Sequence, residues 1–212
     1  MIKLEKTDVF GWESAIRGMR NPLNSWKMSD SEFSIENSVR EGRFKQLVEL
    51  GVNDLKLMRC LSNAGDDHAK FLRMINVTVD ITAPLYWWKE YDTYKVGTVA
   101  NSCSTMHKIH AKEFELNDFS HEHLSDWGIV SLENTIRLLN DARKVFVETK
   151  SRWWDMIQLL PTSYNQKRTV QLNYQVLKSM YFARKSHKLD EWREFCKWVE
   201  ELPYFKDIVI QE

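Results

Sequence analysis

The run Ile75-Asn76-Val77-Thr78-Val79-Asp80-Ile81-Thr82 constrains the chain most, because apolar β-branched residues alternate strictly with polar ones. That period of two buries one face of a strand and leaves the other polar. Pro84 follows where a first helical residue belongs, with Thr82 upstream as a capping oxygen, so a helix is expected from Leu85 to Tyr94, ended by Gly97. Elsewhere the pattern is mostly helical. Ser131 to Glu148 carries Leu132, Ile136, Leu139 and Phe146 near one face, and Ser151 to Leu160 stops before Pro161. Thr169 to Lys185 and Asp190 to Leu202 read as two more helices, the last with Trp192, Phe195 and Val199 as its inner stripe.

The first third is less regular. Ile2, Leu4 and Val9 suggest a short strand closing at Gly11. Asn21 to Ser38 is rich in turn formers and is expected to be loop with one short helix begun by Ser29 or Asp30. Phe44, Leu47, Val48 and Leu50 before Gly51 predict another short helix, Asn53 or Asp54 caps a helix running to Gly65, and a third starts at Asp66-Asp67. Asp207 to Gln211 offers a weak second strand signal. Many helices with so few strands cannot build a parallel sheet. The expected class is α+β, a helix-rich single domain spanning 1–212 around a small antiparallel sheet. The partners of the strong strand are then irregular segments read as loop, or strands of another subunit.

Composition narrows the function. Lys plus Arg (30) equal Asp plus Glu (30), so no global field holds a nucleic-acid polymer or an anionic membrane. Three distant cysteines without a CxxC pair, a charged N-terminus and no run of about 18 apolar residues point to a reduced, cytoplasmic, non-membrane protein. The acids are unevenly spread, however: none lies between Asp92 and Glu113 or between Asp155 and Asp190. The first gap holds Lys95, His107, Lys108, His110 and Lys112 among Asn101, Ser102, Ser104 and Thr105. The second holds Lys167, Arg168, Lys178, Arg184, Lys185 and Lys188 beside Asn165, Asn173 and Gln175. Such stretches suit an anion gripped by charge-assisted hydrogen bonds, a nucleotide phosphate for example, or are simply solvated faces.

Other constellations have bland counterparts. His107, His110, His121 and His123 are either metal ligands or ordinary histidines, and without carboxylates at fitting spacing no metal is assigned. Cys103 and His107 would share a face if that segment were helical, as a thiolate pair or as a structural cysteine and its neighbour. Trp87-Trp88 and Trp153-Trp154 either stack a flat ring or fill a core. No GxGxxG, Walker loop or GxSxG elbow occurs.

The strand Val77-Thr78-Val79-Asp80-Ile81 and the segment Tyr94 to His107 together resemble the region of flavin-dependent thymidylate synthases in which F-x-F-x-I leads to R-H-R-x-x-S-x-N-E-x-S-x-R-Y, at the same distance. Leu159-Leu160-Pro161, Asn173, Arg184 eleven residues on, and Asp190-Glu191-Trp192 resemble the C-terminal pattern of that family. The likeness covers residues 68 to 202. Asn101 and Ser104 keep the signature letters, whereas Tyr94, Lys95 and Val96 stand for R-H-R, and Ile157 and Gln175 stand where arginines are expected. The resemblance implies that Ser104 and Arg184 hold deoxyuridylate and that Asn173, with Asn101 and Ser102 at signature positions, meets flavin. Lys95 and Arg168 are the candidates to replace the missing phosphate-binding charge. It further implies FAD as cofactor, NADPH and methylenetetrahydrofolate as co-substrates, methylation of dUMP to dTMP, and a homotetramer. Two other readings stand beside it: a non-catalytic nucleotide-binding protein on the same fold, and a helical interaction protein whose tryptophans are core. No catalytic residue is singled out.

Overall fold

A computed structural model describes residues 2–38 and 43–211. The first strand is β1 (Lys3–Phe10), followed by helix α1 (Trp12–Arg20). Between them Gly11 turns the chain at φ 94°; a Cβ there would lie 2.1 Å from the Met74 carbonyl oxygen, so only glycine fits. A hairpin of β2 (Glu32–Ser38) and β3 (Arg43–Glu49) comes next, then α2 (Val52–Asn63). The remaining elements are β4 (Asn76–Pro84), α3 (Leu85–Tyr91), β5 (Val99–Ser102), α4 (Asp126–Thr149), α5 (Trp153–Gln158), β6 (Asn165–Asn173), α6 (Tyr174–Arg184) and α7 (Asp190–Glu200). The class is α+β, helix-rich with a small antiparallel sheet, as expected. That sheet has the order β1-β4-β6-β5. The strong strand therefore finds its neighbours, β1 and β6, in its own chain.

The chain divides into two compact units. One comprises Met1–Lys3, Ile81–Thr93 and Ala100–Thr169; the other comprises Leu4–Asp80, Tyr94–Val99 and Val170–Glu212. In the first, α4 buries Leu132, Ile136, Leu139 and Ala142, spaced as one helical stripe, against Ile109, Phe114, Phe119 and Met156. Ser125 caps it by accepting the Gly128 N–H. In the second, Trp192, Phe195 and Val199 of α7 are fully enclosed, and Trp12 meets Tyr174 edge-on at 5.6 Å between centroids.

Several expectations are corrected. The helix expected at Ser29 or Asp30 and the one expected over Phe44 to Leu50 are replaced by the β2–β3 hairpin, in which Phe33 pairs with Val48 and Ser34 with Leu47. Phe33 and Ile35 already alternate with Ser34 and Glu36, but the spacing of Phe44, Leu47 and Val48 imitates a helix, and only the cross-strand pairing resolves it. The helix expected from Thr169 begins at Tyr174 instead. Its first residues belong to β6, where Val170 and Leu172 are buried between the more exposed Thr169, Gln171 and Asn173. The segment after Asp66-Asp67 is a 3-10 turn over Ala69–Arg73. The strand expected at Asp207 to Gln211 is a π-helical turn over Lys206–Ile210, tied to α2 by Arg59 Nε donating to the Asp207 carbonyl at 2.8 Å. Pro84 is the N-cap of α3 rather than its first residue. Thr82 does not cap it; the Leu85 and Tyr86 N–H groups donate to the carbonyls of Tyr164 and Thr162, each at 3.0 Å. Nor do Asn53 or Asp54 cap α2. Asp30 supplies that carboxylate, accepting from the backbone N–H groups of Asn53 (2.9 Å) and Asp54 (3.0 Å).

Candidate functional site

In the unit containing Tyr94–Val99, the turn of those residues is seated against α6. Gly97, at φ 81°, lets it approach: a Cβ there would stand 3.0 Å from Val176 Cγ2 and 3.3 Å from Asn173 Nδ2. Asn173 is the N-cap of α6, its Oδ1 accepting the Val176 N–H at 3.1 Å, so its side-chain oxygen already has a structural task. At the other end of α6, half-buried Arg184 donates its Nε–H to the Tyr94 phenol oxygen at 3.0 Å. Its guanidinium carbon lies 5.1 Å from the centre of the Trp192 ring and 5.7 Å from that of Tyr94. These cation–π contacts and one directional hydrogen bond define the guanidinium plane. Lys95 is exposed on the same turn, where its carbonyl accepts from the Thr98 N–H at 3.4 Å. Arg184 and Asn173 thus stand at opposite ends of α6, and Lys95 lies on the turn beside it.

In the other unit a second polar cluster surrounds Arg168. Its Nη1 donates to Asp92 Oδ1 at 2.7 Å, its Nε–H to Gln166 Oε1 at 3.0 Å, and its guanidinium lies 4.1 Å over Trp88. Gln166, itself buried, donates Nε2 to the Cys103 carbonyl at 2.7 Å, and the Cys103 N–H donates to the Lys167 carbonyl at 2.9 Å. A chain of hydrogen bonds therefore runs from Asp92 to the end of β5. On that strand Asn101 and Ser102 are exposed. Ser104 follows in a turn that its own Oγ closes by accepting the N–H groups of Met106 (3.2 Å) and His107 (2.8 Å). Arg168, read from the sequence as a candidate for the missing phosphate-binding charge, is paired here with Asp92 and Gln166 beside the end of β5.

The competing constellations resolve plainly. Residues 103–107 are not helical, so Cys103 and His107 share no helix face. Trp87 and Trp88 are buried, in edge contact at 4.9 Å, and with Tyr91 they make a wall of core rather than a stacking platform. Burial, then the neighbouring Asp92 charge, push the Tyr91 phenol far above its ordinary pKa. Trp154 is exposed, and Trp153 donates Nε1 to the Met106 carbonyl at 3.1 Å. His110 lies against Phe146 at 4.7 Å, and His121 Nδ1 bonds to the Phe119 carbonyl at 2.8 Å. Among the described residues no three of His, Cys, Asp and Glu come together to hold a metal ion, and no helix is long and apolar enough to cross a membrane. Sequence reasoning missed Tyr94, Trp192, Gln166 and Asp92 as partners of the two arginines. The one signal available was the position of Asp92, Tyr94 and Trp192 at the edges of the acid-free stretches; Gln166, inside the second stretch, gave none.

No protein-family model and no curated protein sequence matches the chain. Solved structures do. A thymidylate synthase X from Helicobacter pylori, crystallised with FAD and dUMP, aligns with a TM-score of 0.69 at 16% identity, over 99% of this chain and 97% of that one. A second structure of the flavin-dependent thymidylate synthase of that organism, complexed with FAD and dUMP, gives 0.66 at 16% identity over 97% and 98%. The chain has the fold of a flavin-dependent thymidylate synthase. The correspondence runs end to end, beyond residues 68 to 202 where the sequence likeness lies.

Proposed function

We propose that the chain is a divergent protein of the flavin-dependent thymidylate synthase type, which binds a dUMP-like nucleotide and FAD. The observation that carries this reading is the fold shared over nearly the whole of both chains with enzymes crystallised with those two molecules. Arg184, at the end of α6 and oriented by Tyr94 and Trp192, is the residue proposed to grip the nucleotide phosphate, with exposed Lys95 adding charge. Ser104 is proposed for the nucleotide as well, while its hydroxyl also closes the local turn. For FAD, the donor types fit: Asn101 and Ser102 present neutral hydrogen-bonding groups on β5, and Asn173 keeps its Nδ2 donors beyond the capping oxygen. When bound, the flavin supplies the redox chemistry of the site. The chain's own part is to orient nucleotide and cofactor, with NADPH and methylenetetrahydrofolate as co-substrates, in a cytoplasmic homotetramer.

The second reading is a nucleotide-binding protein without catalysis. It is favoured by Arg168, whose Nη1 and Nε are already paired with Asp92 and Gln166, and by Val96, 91% exposed in the place of a signature arginine. One experiment separates them: incubation with excess FAD, desalting, and a visible absorption spectrum, followed by calorimetry with dUMP. Retained flavin that NADPH reduces without air, and that is then reoxidised only when dUMP and methylenetetrahydrofolate are added, supports the enzyme. Tight dUMP binding by a colourless protein supports the second reading, and binding of neither ligand overturns both.

A further inference from the structure

We propose that Tyr94 is a positioning residue for Arg184, fixing the guanidinium plane that meets the phosphate of the nucleotide; this rests on the nucleotide-binding reading above. Three features of one unit support it. The Tyr94 phenol oxygen accepts the Arg184 Nε–H at 3.0 Å, a contact that sets the side chain's rotation about its last bonds. Trp192, fully buried on α7, lies under the guanidinium at 5.1 Å and meets the Tyr94 ring at 6.1 Å, so phenol and indole form two sides of one cradle. The Tyr94 backbone is itself held, since Thr98 Oγ1 donates to its carbonyl at 2.9 Å and Gly97 seats the same turn on the first residues of α6. The turn that carries the phenol is therefore seated on the first residues of α6, and the phenol itself reaches the arginine at the last.

The consequence is preorganisation. An unsupported arginine loses rotamer freedom when it grips an anion, and that loss is subtracted from affinity; one already held by a phenol and an indole has lost it during folding. Tyr94 stands at the position where the resembling family carries the first arginine of its signature, so this chain has a neutral orienting group where a cation is expected.

The test uses the full chain, with dUMP and inorganic phosphate as calorimetric probes and Tyr94→Phe as the variant. Tyr94→Phe keeps the ring and removes only the hydroxyl, so the unliganded protein should stay folded with no more than a small loss of melting temperature. Its affinity for both probes should fall up to about tenfold, the cost of immobilising one long side chain at the moment of binding. In an Arg184→Lys background, which has no Nε–H, the same change should alter affinity less than about twofold, because the coupling is gone. The Arg184 Nε–H resonance, identified by its absence from Arg184→Lys, should be protected from solvent exchange in the wild type and lose that protection in Tyr94→Phe. Equal dUMP affinity in wild type and Tyr94→Phe, or an unchanged Nε–H resonance, overturns the role of Tyr94 while leaving the nucleotide reading intact. A wild type that binds neither dUMP nor phosphate overturns that reading, and this one with it.

Discussion

Two arginine–aspartate pairs in this molecule share a 2.7 Å contact and differ in almost everything else. Arg20–Asp54 has side chains 3% and 0% exposed; Arg168–Asp92 has side chains 15% and 47% exposed. Around the first, hydrogen bonds are dense. Asp54 accepts from Arg20 Nε, from the hydroxyls of Ser29 and Ser31, and from the backbone N–H groups of Asp30 and Ser31. Arg20 also donates Nη1 to the Ser25 carbonyl and hydroxyl and Nη2 to the Met28 carbonyl. Around the second, a guanidinium packed on Trp88 reaches out to a carboxylate that water also reaches. Distance alone is thus a poor guide to what an ion pair does. The buried pair ties the chain before β2 to α1 and α2, whereas the half-exposed pair is bonded to Gln166 and, through it, to the end of β5.

The largest effect expected from this contrast is that of Asp54→Ala, which strands a buried guanidinium and the Ser29 and Ser31 hydroxyls and should cost about 3–5 kcal/mol in urea unfolding. A loss below about 1 kcal/mol would erase the distinction between the pairs. Next is Arg184→Ala, which should weaken dUMP binding by about 1.5–3 kcal/mol in calorimetry while leaving unfolding nearly unchanged. Arg168→Ala should have a smaller effect on stability, about 0.5–1 kcal/mol, and one that shrinks between low salt and 1 M salt, unlike that of Asp54→Ala.

Acid should separate the pairs further. Burial pushes the Asp54 carboxyl up, but hydrogen bonds from Ser31, Ser29, Arg20 and the Asp30 N–H outweigh it and hold the group below its ordinary value of 3.8. Its contribution is then fully present above the unfolded value and is lost as pH falls through the lower, folded one. The Asp54→Asn protein should lack this part of the acid transition. The smallest perturbation concerns the thiols: Cys60 and Cys103 are exposed, whereas Cys196 is buried, with its thiol pushed up to about 12 by burial and then by Glu200. A thiol reagent should modify the first two in the native protein and reach Cys196 only on unfolding; rapid native labelling of Cys196 would show that burial around α7 protects less than it does around Asp54.

Strict local periodicity made some elements readable. β4, α4 and α7 each repeat a burial pattern within one element, so Val77, Val79 and Ile81, or Trp192, Phe195 and Val199, announce their face without reference to any neighbour. β3 and β6 were not readable in that way. The hydrophobic residues of β3 fall at helical spacing, and β6 is dominated by Asn165, Gln166, Lys167 and Arg168, whose polarity conceals a strand inside a sheet. The candidate site divides similarly. The absence of acids marked the one stretch, between Asp155 and Asp190, that carries both Arg168 and Arg184, but nothing local distinguishes a guanidinium paired with Asp92, 76 positions away, from one bonded to Tyr94, 90 positions away.

The residues by themselves determined the α+β class, the strong strand and its following helix, the main amphipathic helices and the two segments free of negative charge, because each is set by the order of neighbours along the chain. Tertiary structure alone decided which strands complete the sheet, that Asp30 rather than Asn53 caps α2, that Arg168 pairs with Asp92 and Gln166, and that Tyr94 and Trp192 frame Arg184. Those outcomes depend on partners distant in sequence, whose contacts exist only after loop-closure entropy has been overcome and the core has formed.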